Sequence, residues 1–434
     1  MEFIMNIMNK FNGFFWGWPI LILLMGGGLL ITIRTGFMQF RYLPFILKET
    51  FGKMFKSDVG GEGTVSPFQA ASAALASSIG AANITVAPSI IFVAGPGAIF
   101  WMWVAGILGQ ATKFGEIVLG IKYREKNVDG EFVGGPAYTF KKGIGGTLGN
   151  IMGFLVSFFF MIEILPSITL QTIAAAGPLE QLGLSRLIAA LIILVLVVLV
   201  SYGGIKRIGQ VTEKMVPIMA GIYIIMGLII LIMHAGQIPH AFAVIFKGAF
   251  NPQAVAGGIG GATLAAAIKA GLARGCYSNE AGMGSAPYAH STAITDHPAR
   301  QGMWGIFEVI ADTIIVCSIS VLIVIVTDNW HDAGNSGIAV ERAFKTAYGQ
   351  FGTAFGIIMR FLGCAMVLLG AFVEFEDAGA FLDFTLGLVV FTNMLGMVIL
   401  SGEVKEICDD FFKNPKYYPG AKGEAKPGKY SIDK

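Results

Sequence analysis

The sequence predicts an all-α polytopic membrane protein with about ten transmembrane helices, two of them broken. Only 13% of the 434 residues are charged and 55% are hydrophobic, whereas about a quarter of a soluble domain is charged. Apolar stretches at 14–33, 188–200 and 309–326 contain a single charge, Asp312. They approach the roughly 20 residues that cross a bilayer as a helix. Two further long segments, 68–94 and 253–291, are rich in glycine and polar residues. We therefore do not expect either of them to form an uninterrupted spanning helix.

The predicted spans form one membrane domain, 1–412, followed by a basic tail, 413–434, which we expect to be disordered because it is rich in Lys, Pro and Gly. An extra N-terminal helix at 12–34 precedes an inverted-repeat core at 66–402. The ten predicted spans are 12–34, 68–94, 98–121, 148–173, 186–204, 211–233, 253–291, 302–326, 353–375 and 381–401.

Lysine and arginine in the short loops predict the orientation in a cell inner membrane. The loops after spans one, three and five carry clusters of basic residues, whereas the loops at 94–98 and 175–186 hold one between them. We therefore expect the N-terminus outside. Ten spans would then leave the C-terminus outside, although seven lysines follow Gly402. A cytoplasmic tail requires one more span than we count.

The second span contains the first candidate site. Segment 77–85 clusters small and hydroxyl-bearing residues with an amide, Asn83, and Pro88 follows. Small residues alone also suit close helix packing in lipid. However, Asn83 needs a partner there, and Pro88 removes the hydrogen bond that the Ile84 carbonyl would accept. A freed carbonyl near an amide is typical of a cation site in a broken helix.

The seventh span contains the second candidate site. Ser278, Asn279 and Glu280 are consecutive and cannot share one helical face, and Gly282 and Pro287 weaken the helix beside them. A cytoplasmic loop is the alternative interpretation. We favour an unwound stretch whose amides and carbonyls bind the two ends of a zwitterion.

The two broken segments occupy corresponding places in two halves of opposite orientation. This is the pattern of an inverted-repeat transporter with its site at the membrane midplane. A helix N-terminus there favours a carboxylate, and carbonyl ends favour an ammonium group or sodium.

Ionisable residues inside the spans are candidates for an ion path. Glu308 and Asp312 lie near the cytoplasmic end of their span, so snorkelling or pairing with Arg300 is an alternative role. Lys113 and Glu116 lie one turn apart and are predicted to pair with each other. The candidates are Glu163, Glu280, Glu308 and Asp312.

Five motifs resemble the signature of the alanine or glycine:cation symporter family. They are GPGAIFWMW at 95–103, ATKFGE at 111–116, GGIKR at 203–207, SNEAGMGSAP at 278–287 and FEVIADT at 307–313. The resemblance extends from about residue 12 to residue 412. It implies an extra first helix followed by the ten-helix core of the amino acid–polyamine–cation superfamily. It also implies sodium-driven uptake of alanine, glycine or a similar small amino acid.

The same resemblance implies roles for individual residues. The amides of Ala81 and Ala82 would meet the substrate carboxylate, and Asn83 would lie beside a cation. The carbonyls of Ala76 and Ile79 would contribute to a second sodium site. The substrate-binding residues implied in this way are Gly80, Ala81, Ala82, Asn83, Thr85, Tyr277, Ser278, Asn279 and Gly282.

The sequence departs from the family pattern at three places. Ala82 and Val86 replace two glycines of the first break, so a carboxylate has less room beside the backbone. Tyr277, which would wall the side-chain pocket, stands where the family usually has Phe. A ninth helix with an F-T-T-I-L-G-W-like stretch is not found, because 358–401 resembles the last two helices and 327–352 is too polar to span. Such a helix would place the lysine-rich tail in the cytoplasm.

These observations favour sodium-coupled symport of a small neutral amino acid by alternating access. One alternative is a transporter-derived binder, sensor or uncoupled permease. Another is proton-coupled uptake through Glu163 or Glu308. An enzyme is not expected, because the sequence has no His-rich metal set and no paired nucleophile and base. The expected partners are the substrate, sodium as coupling ion and the lipid bilayer, with no other cofactor, no nucleic acid and no obligate protein partner.

Overall fold

The computed structural model describes residues 2–54, 60–79, 81–181, 183–251, 263–330, 339–348 and 375–432. This part of the chain is almost entirely helical, and its one sheet is an antiparallel ribbon of β1 Glu125–Lys126 and β2 Phe132–Val133. The predicted all-α class is confirmed.

Many of the described helices follow one another after short connections. Short π-helical turns at Ile22–Gly26, Phe140–Ile144 and Ile310–Cys317 continue three of them. In chain order they are α1 Glu2–Phe15, α2 Trp18–Leu21, α3 Gly27–Arg34, α4 Met38–Arg41, α5 Leu43–Glu49, α6 Pro67–Ser78, α7 Ala81–Ala94, α8 Ala98–Lys122, α9 Pro136–Thr139, α10 Gly146–Gln181, α11 Arg186–Ser201, α12 Gly204–Met233, α13 Ile238–Phe250, α14 Leu264–Asn279, α15 Ala286–His290, α16 Pro298–Val309, α17 Ser318–Val326, α18 Ala339–Tyr348 and α19 Phe375–Phe412.

Most of the predicted spans correspond to observed helices. Three predicted spans correspond to shorter elements: 186–204 to the apolar helix α11, 68–94 to α6 with α7, and 253–291 to α14 with α15. The predicted span 353–375 falls mostly in 349–374, outside the described residues. Six described segments are long and apolar enough to cross a membrane: Lys10–Arg34, Ala98–Lys122, Gly146–Thr169, Gly204–Met233, Pro298–Val326 and Phe381–Phe412.

The first break lies between α6 and α7. Helix α6 begins where Ser66 and Gln69 form a reciprocal capping box, each side chain bonded to the other residue's amide at 3.1 Å. It ends at Ile79, whose ψ of 78° leaves the helical range, and α7 begins at Ala81. The break therefore falls inside the predicted segment 77–85.

The second break follows α14. Glu280 is left-handed with φ of 56°, and Gly282 and Gly284 have φ of 96° and 77°. Glycine adopts such angles without a Cβ penalty, which accounts for both glycines in this stretch. Helical structure resumes at Ala286 in α15. The chain is therefore unwound from Glu280 to Ser285, whereas Ser278 and Asn279 of the predicted run are the last two residues of α14.

Helix α8 packs closely against α14, the helix that precedes the second break. A Cβ on Gly271 would meet the Ala98 carbonyl, and a Cβ on Gly275 would meet the Ala105 side chain. The two glycines thus let α14 approach α8 at backbone distance, the packing that small residues allow in membranes. The close approach brings the polar residues of α8 to the end of α14.

The tail differs from the disorder expected of its composition. Tyr417 is buried against the end of α19, and the Ile432 amide donates to the Asp296 carbonyl over 2.8 Å. The amides of Lys429 and Tyr430 donate to Asp410. Lysines and glycines dominate the composition of the tail and predict disorder. Its tyrosines nevertheless supply apolar surface that packs against the end of α19.

Candidate functional site

The centre of the site is the Asp312 carboxylate, which is fully buried in the π-helical turn between α16 and α17. Asn83 Nδ2 donates to its Oδ1 atom, and Ser278 Oγ donates to its Oδ2 atom over 2.7 Å. Thr313 Oγ1 also donates to Oδ2, over 2.7 Å. Because Asn83 lies on α7 and Ser278 lies on α14, this single carboxylate connects the two broken helices.

The donors around Asp312 are all neutral. No described lysine, arginine or histidine forms an ion pair with it. The Asn83 Oδ1 atom is buried in the same place and has no hydrogen-bond partner among the described residues. A buried carboxylate and an unpaired amide oxygen are both costly unless something satisfies them.

The oxygen atoms at this point form a set suited to a hard cation. It comprises the Asp312 carboxylate, Asn83 Oδ1 and the hydroxyls of Ser278 and Thr313. Hard cations prefer carboxylate, carbonyl and hydroxyl oxygens, and broken helices supply them in transporters. The described residues contain no cluster of three or more His, Cys, Asp or Glu side chains that could hold a metal ion.

Glu308, one turn before Asp312, has different surroundings. Its Oε2 atom lies 3.1 Å from Lys113 Nζ, and its Oε1 atom lies 2.7 Å from His290 Nε2. The predicted Lys113–Glu116 pair is therefore wrong. The suggested pairing with Arg300 is also wrong, because Arg300 bonds Asp296 and Glu49 instead, each at 2.6 Å.

The hydrogen bonds of Gln301 define the tautomer of His290. Gln301 Nε2 donates to the Pro67 carbonyl over 3.1 Å, which places its NH₂ group because a carbonyl can only accept. The same NH₂ lies 2.9 Å from His290 Nδ1, so Nδ1 accepts. His290 is therefore neutral and donates from Nε2 to Glu308, which leaves Lys113 as the cation that neutralises Glu308.

The Lys113 side chain also contacts the C-terminal end of α14. Its ammonium group also donates to the Asn279 carbonyl over 2.9 Å. The last carbonyls of a helix have no partner within it and carry partial negative charge. Lys113 thus satisfies an end group of α14 and the Glu308 carboxylate together, a role that helical spacing alone did not indicate.

Glu116 holds the unwound stretch after α14. Its Oε1 atom accepts from the amides of Gly282 and Gly284, at 3.1 and 3.0 Å, and from Asn393 Nδ2 at 2.6 Å. Asn393 Nδ2 also donates to the Gly282 carbonyl at 2.9 Å. The sequence reasoning missed Glu116 and Asn393 as parts of this region. A buried amide in an otherwise apolar span is the signal that could have found Asn393.

These contacts change what two predicted substrate-binding residues can do. Both backbone groups of Gly282 are occupied by Glu116 and Asn393. Asn279 Nδ2 donates to Thr313 Oγ1, and its Oδ1 accepts from the Ala281 amide, both at 3.0 Å. In this conformation Asn279 and Gly282 therefore shape the break rather than present free polar groups.

Glu280 and Glu163 lie on another side of the same region. Glu280 Oε2 accepts from Ser285 Oγ at 2.5 Å and from Ser77 Oγ at 3.2 Å, which links α6 to the second break. Glu163, on α10, is 2% exposed, and its Oε1 atom has no hydrogen-bond partner among the described residues. The two carboxylates are close enough to interact electrostatically.

The remaining predicted residues surround the first break. Gly80 lies outside the described residues. Tyr277 is half-buried against a small apolar cluster that includes Cys276. The others are placed by their backbone: Ala81, Ala82 and Thr85 in the first turns of α7, and Ala76 and Ile79 at the end of α6.

Comparison with known proteins adds independent evidence. The profile of the sodium:alanine symporter family matches residues 1–358. The chain is 38% identical to an uncharacterized transporter, YflA, of Bacillus subtilis across 96% of each protein. It is 43% identical to the sodium/alanine symporter AgcS of Methanococcus maripaludis over 74% of this chain and 70% of that protein.

A further relative carries a different substrate in its name. The probable sodium/glutamine symporter GlnT of Bacillus subtilis is 31% identical over 95% of this chain and 91% of that protein. The apolar helices, the two breaks and these matches agree on a multi-pass membrane transporter that is not an enzyme. The chain belongs to the sodium:alanine symporter family.

Proposed function

We propose that this protein couples the entry of sodium to the uptake of a small neutral amino acid, alanine or glycine, across the cell inner membrane by alternating access. The observation that carries the proposal is the Asp312 carboxylate, held by both broken helices and surrounded by neutral donors. The family description and the printed name of AgcS support sodium and alanine as cargo.

Sodium would bind at Asp312 with oxygens of Asn83, Ser278 and Thr313 as further ligands. The cation would satisfy the unpaired Asn83 Oδ1 atom and neutralise the carboxylate. Because its ligands come from α7 and α14, sodium binding would fix the two breaks relative to each other. Affinities coupled in this way are reciprocal, so the substrate would tighten sodium binding by the same factor.

The amino acid would bind between the breaks. The first amides of α7, from Ala81 and Ala82, have no partner within the helix and carry partial positive charge, which suits the substrate carboxylate. The carbonyls at the end of α6, including those of Ala76 and Ile79, suit an ammonium group or a second sodium. Tyr277 would limit the pocket to small side chains.

The proposed orientation has the N-terminus outside and the C-terminus in the cytoplasm. The tail packs on two regions that the basic residues assign to the cytoplasm: Ile432 bonds Asp296, and Lys122 lies over the Tyr430 ring at 4.9 Å. These contacts support a tail on the same side of the membrane as these loops, whose lysines and arginines favour the cytoplasm.

The proposal is tested by uptake of labelled alanine and glycine into proteoliposomes. We expect uptake driven by an inward sodium gradient and abolished when potassium replaces sodium. Uptake that is independent of sodium would indicate an uncoupled permease, and uptake that follows a proton gradient alone would indicate proton coupling. Absence of uptake would favour a binder or sensor.

In the same assay Asn83→Ala should raise the sodium concentration for half-maximal uptake, and an unchanged value would exclude Asn83 from the cation site.

A further inference from the structure

The described core contains more buried carboxyl groups than buried cations. Glu116, Glu163, Glu308 and Asp312 are each at most 2% exposed, and Lys113 is the one buried lysine or arginine among the described residues. An isolated carboxylate in such a place must find a cation, several hydrogen-bond donors or a proton. The four groups can therefore be compared by what neutralises each.

Three of the four have donors. Glu308 has Lys113 and neutral His290, Asp312 has three side-chain donors, and Glu116 has two backbone amides and Asn393. Glu116 and Glu308 each have one oxygen without a hydrogen bond, but their other oxygen accepts from donors. Glu163 differs, because neither of its carboxyl oxygens accepts a hydrogen bond from the described residues and its Oε1 atom is fully buried.

The charges around Glu163 do not replace these donors. The charge that acts on it most is negative, that of Glu280, and the neutral phenol of Tyr277 is also within electrostatic range. Helix α7 carries no ionisable residue between Ala81 and Ala94.

Among the described residues of the other elements packed against α10, no lysine or arginine lies close enough to act on Glu163. Lys142, beside the start of α10, and Arg186, beyond its end, lie about 25 Å away along the helix at 1.5 Å per residue. Asp383 of α19 is paired with Arg274 at 3.7 Å. The ionisable side chains on these elements are Tyr138, Lys141, Lys142, Arg186, Asp383, Glu403, Lys405, Glu406, Cys408, Asp409 and Asp410, besides Glu376 and Asp377, whose side chains are outside the described set.

We propose that Glu163 is a proton-binding site beside the substrate pocket, protonated in this conformation, and that it exchanges its proton for the cationic end of the substrate. The exchange rests on the proposed function, whereas the protonated state does not. In the exchange Glu163 releases its acid proton to water and becomes a carboxylate as the substrate ammonium arrives, so the new negative charge is paired with the ammonium group and one positive charge leaves the site with the proton. The geometry excludes Glu308 from this role, because Lys113 already neutralises it.

The protonated state is tested by infrared spectroscopy of the purified protein at pH 7, in the carbonyl region of protonated carboxyl groups. We expect Glu163→Gln to remove part of this band and Glu163→Asp to shift it without loss. The matched control is Glu125→Gln, an exposed residue paired with Lys142, which should leave the band unchanged. Superimposable spectra of the wild type and both Glu163 variants would overturn the proposal. If the Glu163→Gln variant does not fold, the Glu163→Asp variant decides: a shifted carboxyl band supports a protonated Glu163, and an unshifted band overturns it.

The exchange is tested on the same samples by adding alanine with sodium in weak buffer containing a pH indicator. We expect the wild type to lose the Glu163 band and release a proton for each alanine bound. Glu163→Gln should bind alanine without releasing a proton. Alanine binding by the wild type with the band unchanged would overturn the exchange. A protein that does not bind alanine would contradict the proposed function, and the spectra without substrate would still decide whether Glu163 holds a proton.

Discussion

Two carboxyl groups one turn apart, Glu308 and Asp312, are satisfied in opposite ways. Glu308 is neutralised by a cation of the protein, Lys113, whose ammonium group lies 3.1 Å from it. Asp312 is surrounded by an amide and two hydroxyls, which stabilise a negative charge without cancelling it. The same helix therefore carries a permanent internal ion pair and a carboxylate that remains able to attract an external cation.

The difference separates a structural role from a transport role. The Lys113–Glu308 pair ties α8 to α16, and through the Asn279 carbonyl it ties both to the end of α14. The Asp312 cluster joins the two breaks, so an ion bound there senses their relative position. We expect substitutions on the Glu308 side to affect stability and substitutions on the Asp312 side to affect sodium dependence.

The largest expected effect follows from removing the internal cation. Lys113→Met leaves Glu308 buried without its counter-ion, which should lower the free energy of unfolding by about 3–5 kcal/mol. The double variant Lys113→Met with Glu308→Gln removes both charges and should recover most of this loss. Chemical denaturation in detergent micelles measures both. A double variant no more stable than the single one would contradict the pairing.

Removing the other charge should change ion dependence more than stability. Asp312→Asn keeps the size of the side chain but removes the charge that attracts sodium. We expect the half-saturating sodium concentration for uptake to rise at least about tenfold, equivalent to about 1.4 kcal/mol. Asp129→Asn, in the exposed loop between β1 and β2, is the control and should leave this concentration unchanged.

A smaller effect is expected from a single hydroxyl. Ser278→Ala removes one donor to Asp312 and one proposed sodium ligand, and a hydrogen bond contributes about 0.5–1.5 kcal/mol. The half-saturating sodium concentration should therefore rise about threefold to tenfold. Ser157→Ala, which removes a hydroxyl bonded within α10, is the matched control. Equal values in the two variants would argue against Ser278 as a ligand.

The smallest effect is expected at His290. Because His290 is a neutral donor to Glu308, His290→Gln replaces one neutral donor with another and should change the free energy of unfolding by less than about 1 kcal/mol. The same denaturation assay measures it. A loss as large as that of Lys113→Met would mean that His290 is charged and shares the neutralisation of Glu308.

The sequence predicted the helices and both breaks because these depend on local chemistry. Apolar length predicts a span, and the glycines at 282 and 284 predict backbone angles that other residues avoid. The tail was harder, because its few tyrosines outweigh a composition typical of disorder.

The partners inside the site could not be predicted in the same way. Lys113 and Glu116 are separated by three residues, the spacing of a helical pair, yet each bonds a different group across the helix interface. Tertiary contacts override local spacing where a helix ends and leaves unsatisfied carbonyls and amides nearby. Asp312 was recognised as a candidate, but its bonds to Asn83 and Ser278 depend on how the two breaks meet.

The most direct measurement is equilibrium binding of radiolabelled sodium to the purified protein. The samples are the wild type, Asp312→Asn and the double variant Lys113→Met with Glu308→Gln. We predict that the wild type and the double variant bind sodium with similar affinity, and that Asp312→Asn binds at least about tenfold more weakly. Unchanged binding by Asp312→Asn, or loss of binding in a folded double variant, would contradict the assignment of the cation site to Asp312.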